Sequence, residues 1–218
     1  GEIMKFKEMN LPNKLTTIRM FCVPFMVVLF VLFMMFSKLN LPVDVLVASF
    51  GGGYLTLTQI LMAVLFAFAS ITDFVDGHLA RKHNLVSDYG KLMDPLADKL
   101  LVNTTILCML ASGMYVSGQK SFIAFEIFAM VMSIIVIARD IFVDALRMQA
   151  LKKNAVVAAS IWGKLKTATL MPGIIFMLLG SLNIVVYLIG ISLMAIGGIF
   201  ALIGGIKYFI SLSKYIES

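Results

Sequence analysis

Four aspartates, in a chain whose neighbouring segments are almost purely apolar, are the residues best suited to chemistry. Asp73 and Asp76 are three residues apart, and Asp94 and Asp98 are four apart. On helices, each spacing places both carboxylates of a pair on one face. Four carboxylates close together cannot all be ionised without cations. The pattern therefore predicts a divalent ion such as Mg²⁺ or Mn²⁺, which takes oxygen ligands and is often shared with substrate phosphates.

A polar segment separates the two pairs and predicts that their helices form a hairpin. Residues 82–91 read as an inner loop in which Asp88 is solvated, and the second helix is expected to begin near Asp94. The carboxylates would then meet near one membrane surface. Charged side chains at helix ends can also simply reach the interface, but that explanation covers one or two aspartates rather than four in facing pairs. Ionisable groups within membrane segments mark function by default.

The composition indicates an integral membrane protein with an all-α fold. Of the 218 residues, 61% are hydrophobic and only 14% are charged, whereas about 25% are charged in soluble domains. A membrane-spanning helix needs about 20 mostly apolar residues. Six segments meet that description: residues 16–36, 59–81, 95–117, 121–146, 165–184 and 186–210.

The distribution of Lys and Arg predicts that both termini lie in the cytoplasm. With six spans, only Lys38 and Lys120 of the 18 basic residues fall on the outer side, and cytoplasmic loops are the ones enriched in basic residues. We therefore expect a multi-pass protein of the inner membrane whose net charge of +6 faces anionic lipids. A nucleic-acid partner is not expected, because the basic residues lie at helix ends rather than in a soluble basic domain.

The chain reads as one membrane domain with short appendages. Residues 1–14 are expected to form an interfacial segment, residues 15–213 the six-helix domain, and residues 214–218 a tail. Residues 50–58, which include three successive glycines, read as a flexible outer loop.

The last span carries residues whose types concern packing and anchoring. Gly190, Gly197 and Gly204 recur every seven residues, and small residues at such spacing let membrane helices approach closely. The stripe fits packing within the chain or an interface between subunits, and both interpretations are open. Tyr208, further along the span, is typical of an anchor at the membrane interface.

Four basic residues on the inner side form a second candidate site. Arg139 and Arg147 are eight residues apart, about two helical turns, and therefore share a face. Lys164 and Lys166 follow in the next segment. A phosphate monoester with two negative charges suits such a group. The general enrichment of basic residues on the cytoplasmic side accounts for each cation equally well. So does local ion pairing, for example of Asp144 with Arg147.

The aspartates are part of a longer pattern, Asp73-x2-Asp76-Gly77-x2-Ala80-Arg81-x8-Gly90-x3-Asp94-x3-Asp98. At every fixed position it resembles the signature of the CDP-alcohol phosphotransferases, a family that also has six spans. The resemblance implies a site for two Mg²⁺ or Mn²⁺ ions held by four carboxylates: Asp73, Asp76, Asp94 and Asp98. It implies that Asp98 is also the general base. It implies a CDP-lipid-binding set formed by Asp73, Gly77, Ala80, Arg81 and Gly90.

Other segments resemble one branch of that family. Residues 12–19, 137–139, 146–147 and 163–167 are similar to bacterial phosphatidylglycerophosphate synthases, although Asp140 stands where that branch has Glu and Ala145 where it has Gly. The resemblance implies an acceptor phosphate site and a headgroup-contact set: Arg139, Arg147, Lys164 and Lys166 for the first, and Asn13, Thr16 and Arg19 for the second. Capping of the first helix is an equally simple role for Asn13 and Thr16.

These resemblances imply a metal-dependent enzyme of phospholipid biosynthesis that works as a homodimer among membrane lipids. It would transfer the phosphatidyl group of CDP-diacylglycerol to sn-glycerol 3-phosphate and release CMP at the cytoplasmic face. The first alternative is another acceptor: inositol phosphate, inositol or serine. The second is a cation-coupled transporter, but transporters favour midplane sites on broken helices and internal repeats, and no long repeat is visible in the sequence.

Overall fold

The structure, a computed structural model, describes residues 11–39, 46–50, 53–82, 88–115, 117, 119–152 and 161–216. It describes the side chains of residues 13–36, 55–73, 93–94, 96–115, 117, 119–148, 150 and 161–211. Residues 1–10, which make up most of the expected interfacial segment, lie outside the described residues. The expected division into segment, domain and tail stays a prediction.

Six long α-helices make up most of the described residues and confirm the all-α prediction. In chain order they are α1 (Leu11–Leu39), α2 (Leu57–Lys82), α3 (Asp88–Ser112), α4 (Ile123–Lys152), α5 (Ile161–Leu178) and α6 (Ile184–Ile216). Short 3₁₀ turns precede two of them, Lys120–Phe122 before α4 and Gly180–Leu182 before α6.

Two paired strands, β1 (Leu46–Phe50) and β2 (Gly53–Thr56), connect α1 to α2. The expectation of a loop is therefore wrong for residues 50 and 53–58, whereas Gly51 and Gly52 lie outside the described residues. The aromatic and β-branched residues of this segment favour strands. Gln59 fastens β2 to the first turn of α2, because its side-chain oxygen accepts a hydrogen bond from the backbone N–H of Thr56 at 3.1 Å.

Three predicted boundaries differ from the structure. α3 begins at Asp88, so the predicted loop over residues 82–91 is too long and Asp88 is a helical residue. α3 also ends early, at Ser112, because Gly113 adopts a φ of +76° and Met114 N–H bonds to Met109 O at 3.2 Å, the usual glycine termination of a helix. The predicted fifth span likewise runs past the end of α5 at Leu178.

Three of the described helices contain segments long and apolar enough to cross a membrane: Asn13–Phe36, Lys120–Met148 and Ile184–Ser211. α2 adds a shorter apolar stretch, Leu57–Asp73, which ends at the first aspartate of the pattern. The chain is therefore a multi-pass membrane protein, and the number of six spans stays a prediction. The charged ends of α2 and α3 shorten their apolar stretches.

The contacts divide the chain into two compact units, Gly1–Phe50 with Tyr54–Cys108 and Gly51–Gly53 with Met109–Ser218. In the first unit α1 packs on α2, and the fully buried side chains of Met26, Met62 and Phe66 contribute to its core. In the second unit α6 packs on both α4 and α5.

Glycines let α6 lie against two helices at once. A Cβ atom built at Gly197 would lie 2.6 Å from Leu170 Cδ2 in α5, and one built at Gly198 would overlap Met132 Cβ in α4. Side chains at these positions would push the helices apart. The stripe therefore serves packing within the chain, which is the first of its two open interpretations.

A buried polar network fixes the start of α4. Glu126 is only 2% exposed, and its carboxylate accepts a hydrogen bond from the backbone N–H of Ser117 at 2.8 Å. The Tyr187 hydroxyl of α6 lies 3.0 Å from the same carboxylate and also reaches the backbone oxygen of Tyr115. These bonds satisfy an acidic side chain that the sequence places inside an apolar span.

Gly198→Ala is expected to destabilise the second unit, because the added methyl group overlaps Met132. Overpacking of a well-packed core costs about 1–3 kcal/mol, so thermal unfolding in detergent should show a lower midpoint. Val185→Ala is the control on the same helix. Its side chain is 58% exposed, and the free energy of unfolding should change by less than about 0.5 kcal/mol. An unchanged midpoint in the glycine variant would contradict the packing described.

Candidate active site

One face of α1 contacts two of the four aspartates. Thr16 Oγ1 donates a hydrogen bond to Asp94 Oδ1, and Arg19 Nη1 lies 2.6 Å from Asp73 Oδ1. Thr16 and Arg19 are three residues apart and therefore share a side of the helix, and both are fully buried. The two contacts hold Asp73 of α2 and Asp94 of α3 beside the same helix.

Arg19 is fixed at two points. Besides its ion pair with Asp73, its Nε donates a hydrogen bond to the backbone oxygen of Ala69 at 3.3 Å, one turn earlier in α2. A guanidinium group can make both contacts because its donors point in fixed, diverging directions. The side chain of Asp73 is 31% exposed, whereas that of Arg19 is 0% exposed. The carboxylate is therefore anchored from the protein side and accessible from the other.

The described carboxylates carry more negative charge than Arg19 offsets. Asp73 and Asp94 are close enough for their charges to repel. Asp98 lies one turn further along α3, and its Oδ1 atom is buried. Carboxylate oxygens are the donors that Mg²⁺ and Mn²⁺ prefer, so the chemistry of this set fits a divalent ion.

The predicted ligand set includes Asp76, whose side chain lies outside the described set. Among those side chains, no group of three or more His, Cys, Asp or Glu residues lies close enough together to hold a metal ion. The structure confirms that each aspartate pair lies on one helix, α2 or α3. The remaining predicted site residues are helical but have side chains outside the described set: Asp76, Gly77, Ala80 and Arg81 in α2, and Gly90 in α3.

Asn13 and Thr16, two residues of the predicted headgroup-contact set, lie inside α1. The helix is described from Leu11 onwards, so Asn13 and Thr16 do not occupy its N-cap, and the capping interpretation is wrong for both. Asn13 is 3% exposed, and its backbone oxygen accepts a hydrogen bond from Thr17 Oγ1 at 2.8 Å. Headgroup contact by Asn13, Thr16 and Arg19 stays a prediction.

A buried acid links two of the four predicted acceptor cations in the second unit. Lys166 Nζ lies 2.7 and 2.8 Å from the two carboxylate oxygens of Asp140. Arg139 Nη1 lies 3.1 Å from Asp140 Oδ1. Asp140 is 2% exposed, and a buried carboxylate needs such partners. The three side chains therefore carry one net positive charge and hold one another in place, a role that the sequence does not reveal for Asp140.

The other two cations have different surroundings. Arg147 Nε donates a hydrogen bond to the Tyr208 hydroxyl of α6 at 3.4 Å. Lys164 is exposed on α5. The phosphate-binding role of the four cations stays a prediction, and Arg139, Lys166 and Arg147 are the three whose positions are set by described contacts.

The model of one protein family, described as CDP-alcohol phosphatidyltransferase, matches residues 9–203 of this chain. The chain is also similar to proteins named CDP-diacylglycerol--glycerol-3-phosphate 3-phosphatidyltransferase. One from Rickettsia bellii (strain RML369-C) is 33% identical over 97% of this chain and 99% of its own length. One from Bacillus subtilis (strain 168) is 34% identical over 72% of this chain and 70% of its own. One from Rickettsia felis is 31% identical over 95% of this chain and 98% of its own length.

Arg19→Met is expected to destabilise the first unit, because it leaves the part-buried Asp73 carboxylate without its cation. Removal of one partner from a buried pair costs about 3–5 kcal/mol, and the partial exposure of Asp73 places the loss near the lower end. Denaturant unfolding measures it. Lys14→Met, at a less buried position of α1, is the control and should cost much less.

The double variant Arg19→Met/Asp73→Asn separates charge from packing. It removes the uncompensated carboxylate, so it should be more stable than Arg19→Met alone. Equal stability of the double and single variants would contradict the ion-pair explanation.

Proposed function

This chain belongs to the CDP-alcohol phosphatidyltransferase family, and we propose that it transfers the phosphatidyl group of CDP-diacylglycerol to sn-glycerol 3-phosphate. The products would be phosphatidylglycerophosphate and CMP. The observation that carries the proposal is the pairing of Asp73 and Asp94, two aspartates of the family pattern, with Arg19 and Thr16 of α1. Relatives that match this chain over nearly its whole length carry the name of that activity.

Members of the family generally use divalent metal ions. We propose that Mg²⁺ or Mn²⁺ is held here by four carboxylates: Asp73, Asp76, Asp94 and Asp98. Such ions, when bound, would offset the negative charge of the pyrophosphate and of the departing CMP.

The residues of the chain itself have separate roles in this proposal. Arg19 holds the Asp73 carboxylate in place, and the Thr16 hydroxyl fixes the orientation of the Asp94 carboxylate. Asp98 accepts the proton of the attacking hydroxyl group. A bond then forms between that oxygen and the phosphorus of the phosphatidyl group, while the bond from this phosphorus to the bridging oxygen breaks and CMP leaves with the electron pair. Gly77, Ala80, Arg81 and Gly90 are proposed to hold the CDP moiety.

The acceptor is proposed to be recognised through its phosphate group. Arg139, Arg147 and Lys166 can supply charge-assisted hydrogen bonds to a dianionic phosphate, with Lys164 as a further cation. Asp140 contacts both Arg139 and Lys166 and orients them. Inositol and serine carry no phosphate for these cations to bind, so a phosphorylated acceptor is the better fit. Between glycerol 3-phosphate and inositol phosphate, the names of the relatives support the first.

The proposed location follows from the distribution of basic residues, which says nothing about assembly. We propose that the protein lies in the inner membrane with both termini in the cytoplasm, because its basic residues fall on one side of the predicted spans. A homodimer stays a prediction. The glycines of α6 give it no support, since they pack against α4 and α5 of the same chain.

Asp98→Asn should abolish CMP release while leaving the protein folded, because an amide cannot accept the proton. Asp88→Asn is the matched control, since it makes the same change on the same helix at an acid outside the family pattern, and it should retain activity. CMP release and thermal unfolding are measured for both. Near wild-type turnover in Asp98→Asn would exclude this residue as the base.

A panel of acceptors tests the choice of alcohol. CMP release from CDP-diacylglycerol should depend on glycerol 3-phosphate and not on inositol, inositol phosphate or serine, and it should stop on chelation and return when Mg²⁺ or Mn²⁺ is added. Arg139→Ala should raise the KM for glycerol 3-phosphate about tenfold or more, as expected for a lost charge-assisted contact. An unchanged KM would remove Arg139 from the acceptor site.

A further inference from the structure

Two residues of α6 lie directly against the arginines of the proposed acceptor site. A Cβ atom built at Gly205 would lie 2.9 Å from Arg139 Cγ and 3.7 Å from its Nε. Tyr208, one turn further along α6, accepts the hydrogen bond from Arg147 Nε, and Arg147 Cζ lies 6.0 Å from the centre of its ring. The types of these two residues suggest helix packing and membrane anchoring rather than a site.

Arg139 lies against two successive glycines of α6, Gly204 and Gly205. Its side chain is 13% exposed, and its Nε is buried without a hydrogen-bond partner in the described part of the chain. A Cβ atom at Gly204 would lie 3.4 Å from Arg139 Nη2. Asp140 thus holds one edge of the guanidinium group, while the glycine pair leaves the space in which the rest of the side chain lies.

Tyr208 is buried within the chain. It is 5% exposed and forms a cluster with Val143, Leu146 and Ala150 of α4, so the interpretation as an interfacial anchor is wrong. A buried tyrosine hydroxyl usually has a hydrogen-bond partner, and here the Arg147 guanidinium supplies it. The ring and hydroxyl together fix the direction in which Arg147 extends.

The two arginines contact residues that are one turn apart on α6. Arg139 and Arg147 are separated by about 12 Å along α4, whereas Gly205 and Tyr208 are separated by about 4.5 Å along α6. Binding of one phosphate group by two guanidinium groups requires that each arginine is held in a defined direction. If the arginines served only the enrichment of basic residues on the cytoplasmic side, neither would need a defined contact with α6.

We propose that Gly205 and Tyr208 are positioning residues that direct Arg139 and Arg147 towards the phosphate of the acceptor. The inference rests on the proposed function and deepens its acceptor site. Neither residue is placed in contact with substrate. Both act through the arginine that each one touches.

The test compares kinetic constants in two variants. Gly205→Ala forces the stem of Arg139 to shift, because the methyl group meets Cγ near the base of that side chain. It should raise the KM for glycerol 3-phosphate about tenfold, the equivalent of one lost charge-assisted hydrogen bond, with kcat and the KM for CDP-diacylglycerol unchanged. Tyr208→Phe removes one oxygen without changing packing and should raise the same KM about threefold.

Matched controls separate positioning from loss of stability. Gly197→Ala crowds Leu170 at 2.6 Å on the same helix without touching an arginine. Tyr187→Phe removes a buried hydroxyl from the same unit. Both controls should lower the unfolding midpoint at least as much as the test variants, and neither should raise the KM for glycerol 3-phosphate.

A double variant tests whether Gly205 acts through Arg139. Gly205→Ala should add no further increase in KM when Arg139 is already Ala. A further increase of the same size would overturn the inference, and so would an unchanged KM in both Gly205→Ala and Tyr208→Phe. If Gly205→Ala does not fold, the KM of Tyr208→Phe for glycerol 3-phosphate decides the test: an increase supports the inference, and an unchanged value overturns it.

A different result would show that the proposed function itself is wrong. If the wild-type protein released no CMP with glycerol 3-phosphate, the proposed acceptor would be wrong and the positioning roles would fall with it. If the wild-type protein were active and the variants kept the wild-type KM, only the positioning roles would fall.

Discussion

Burial of one guanidinium group allows two aspartates to lie side by side in an apolar chain. Carboxylates removed from water cost several kcal/mol unless they are paired and hydrogen-bonded. Arg19 is fully buried and meets Asp73 at 2.6 Å, while Thr16 on the same face bonds to Asp94. α1 therefore does more than cross the membrane, because its inner face sets where the charged ends of α2 and α3 can lie. Asp73 and Asp94, two of the four proposed metal ligands, depend on these two contacts.

In the second unit the signs are reversed, and a buried carboxylate pairs with cations. Here the excess charge is positive, and the buried carboxylate of Asp140 keeps Arg139 and Lys166 together. Glycines of α6 provide the space for Arg139, and Tyr208 of the same helix receives Arg147. One unit thus concentrates negative charge suited to divalent ions, and the other concentrates positive charge suited to phosphate.

The sequence predicts those features that depend on local spacing. Aspartates three and four residues apart do share helices, and long apolar stretches do become α1, α4 and α6. The pairing of Arg19 with Asp73 joins residues 54 positions apart, and no local periodicity encodes it. The burial of Tyr208 is hidden from the sequence for a related reason, since its residue type suggests a membrane interface whereas tertiary packing buries it. The early start of α3 at Asp88 shows how weakly polar composition alone defines a loop.

The dependence of activity on divalent ions in a Thr16 variant tests the central role of α1 most directly. CMP release from CDP-diacylglycerol would be measured against Mn²⁺ concentration after chelation, for wild type, Thr16→Val and Thr17→Val. Thr17 is the neighbouring control, because its hydroxyl bonds to Asn13 O of its own helix at 2.8 Å. Loss of a group that orients a metal ligand typically weakens metal binding about 10–100-fold. We predict a shift of that order towards higher Mn²⁺ in Thr16→Val and none in Thr17→Val, and three superimposable curves would contradict the account.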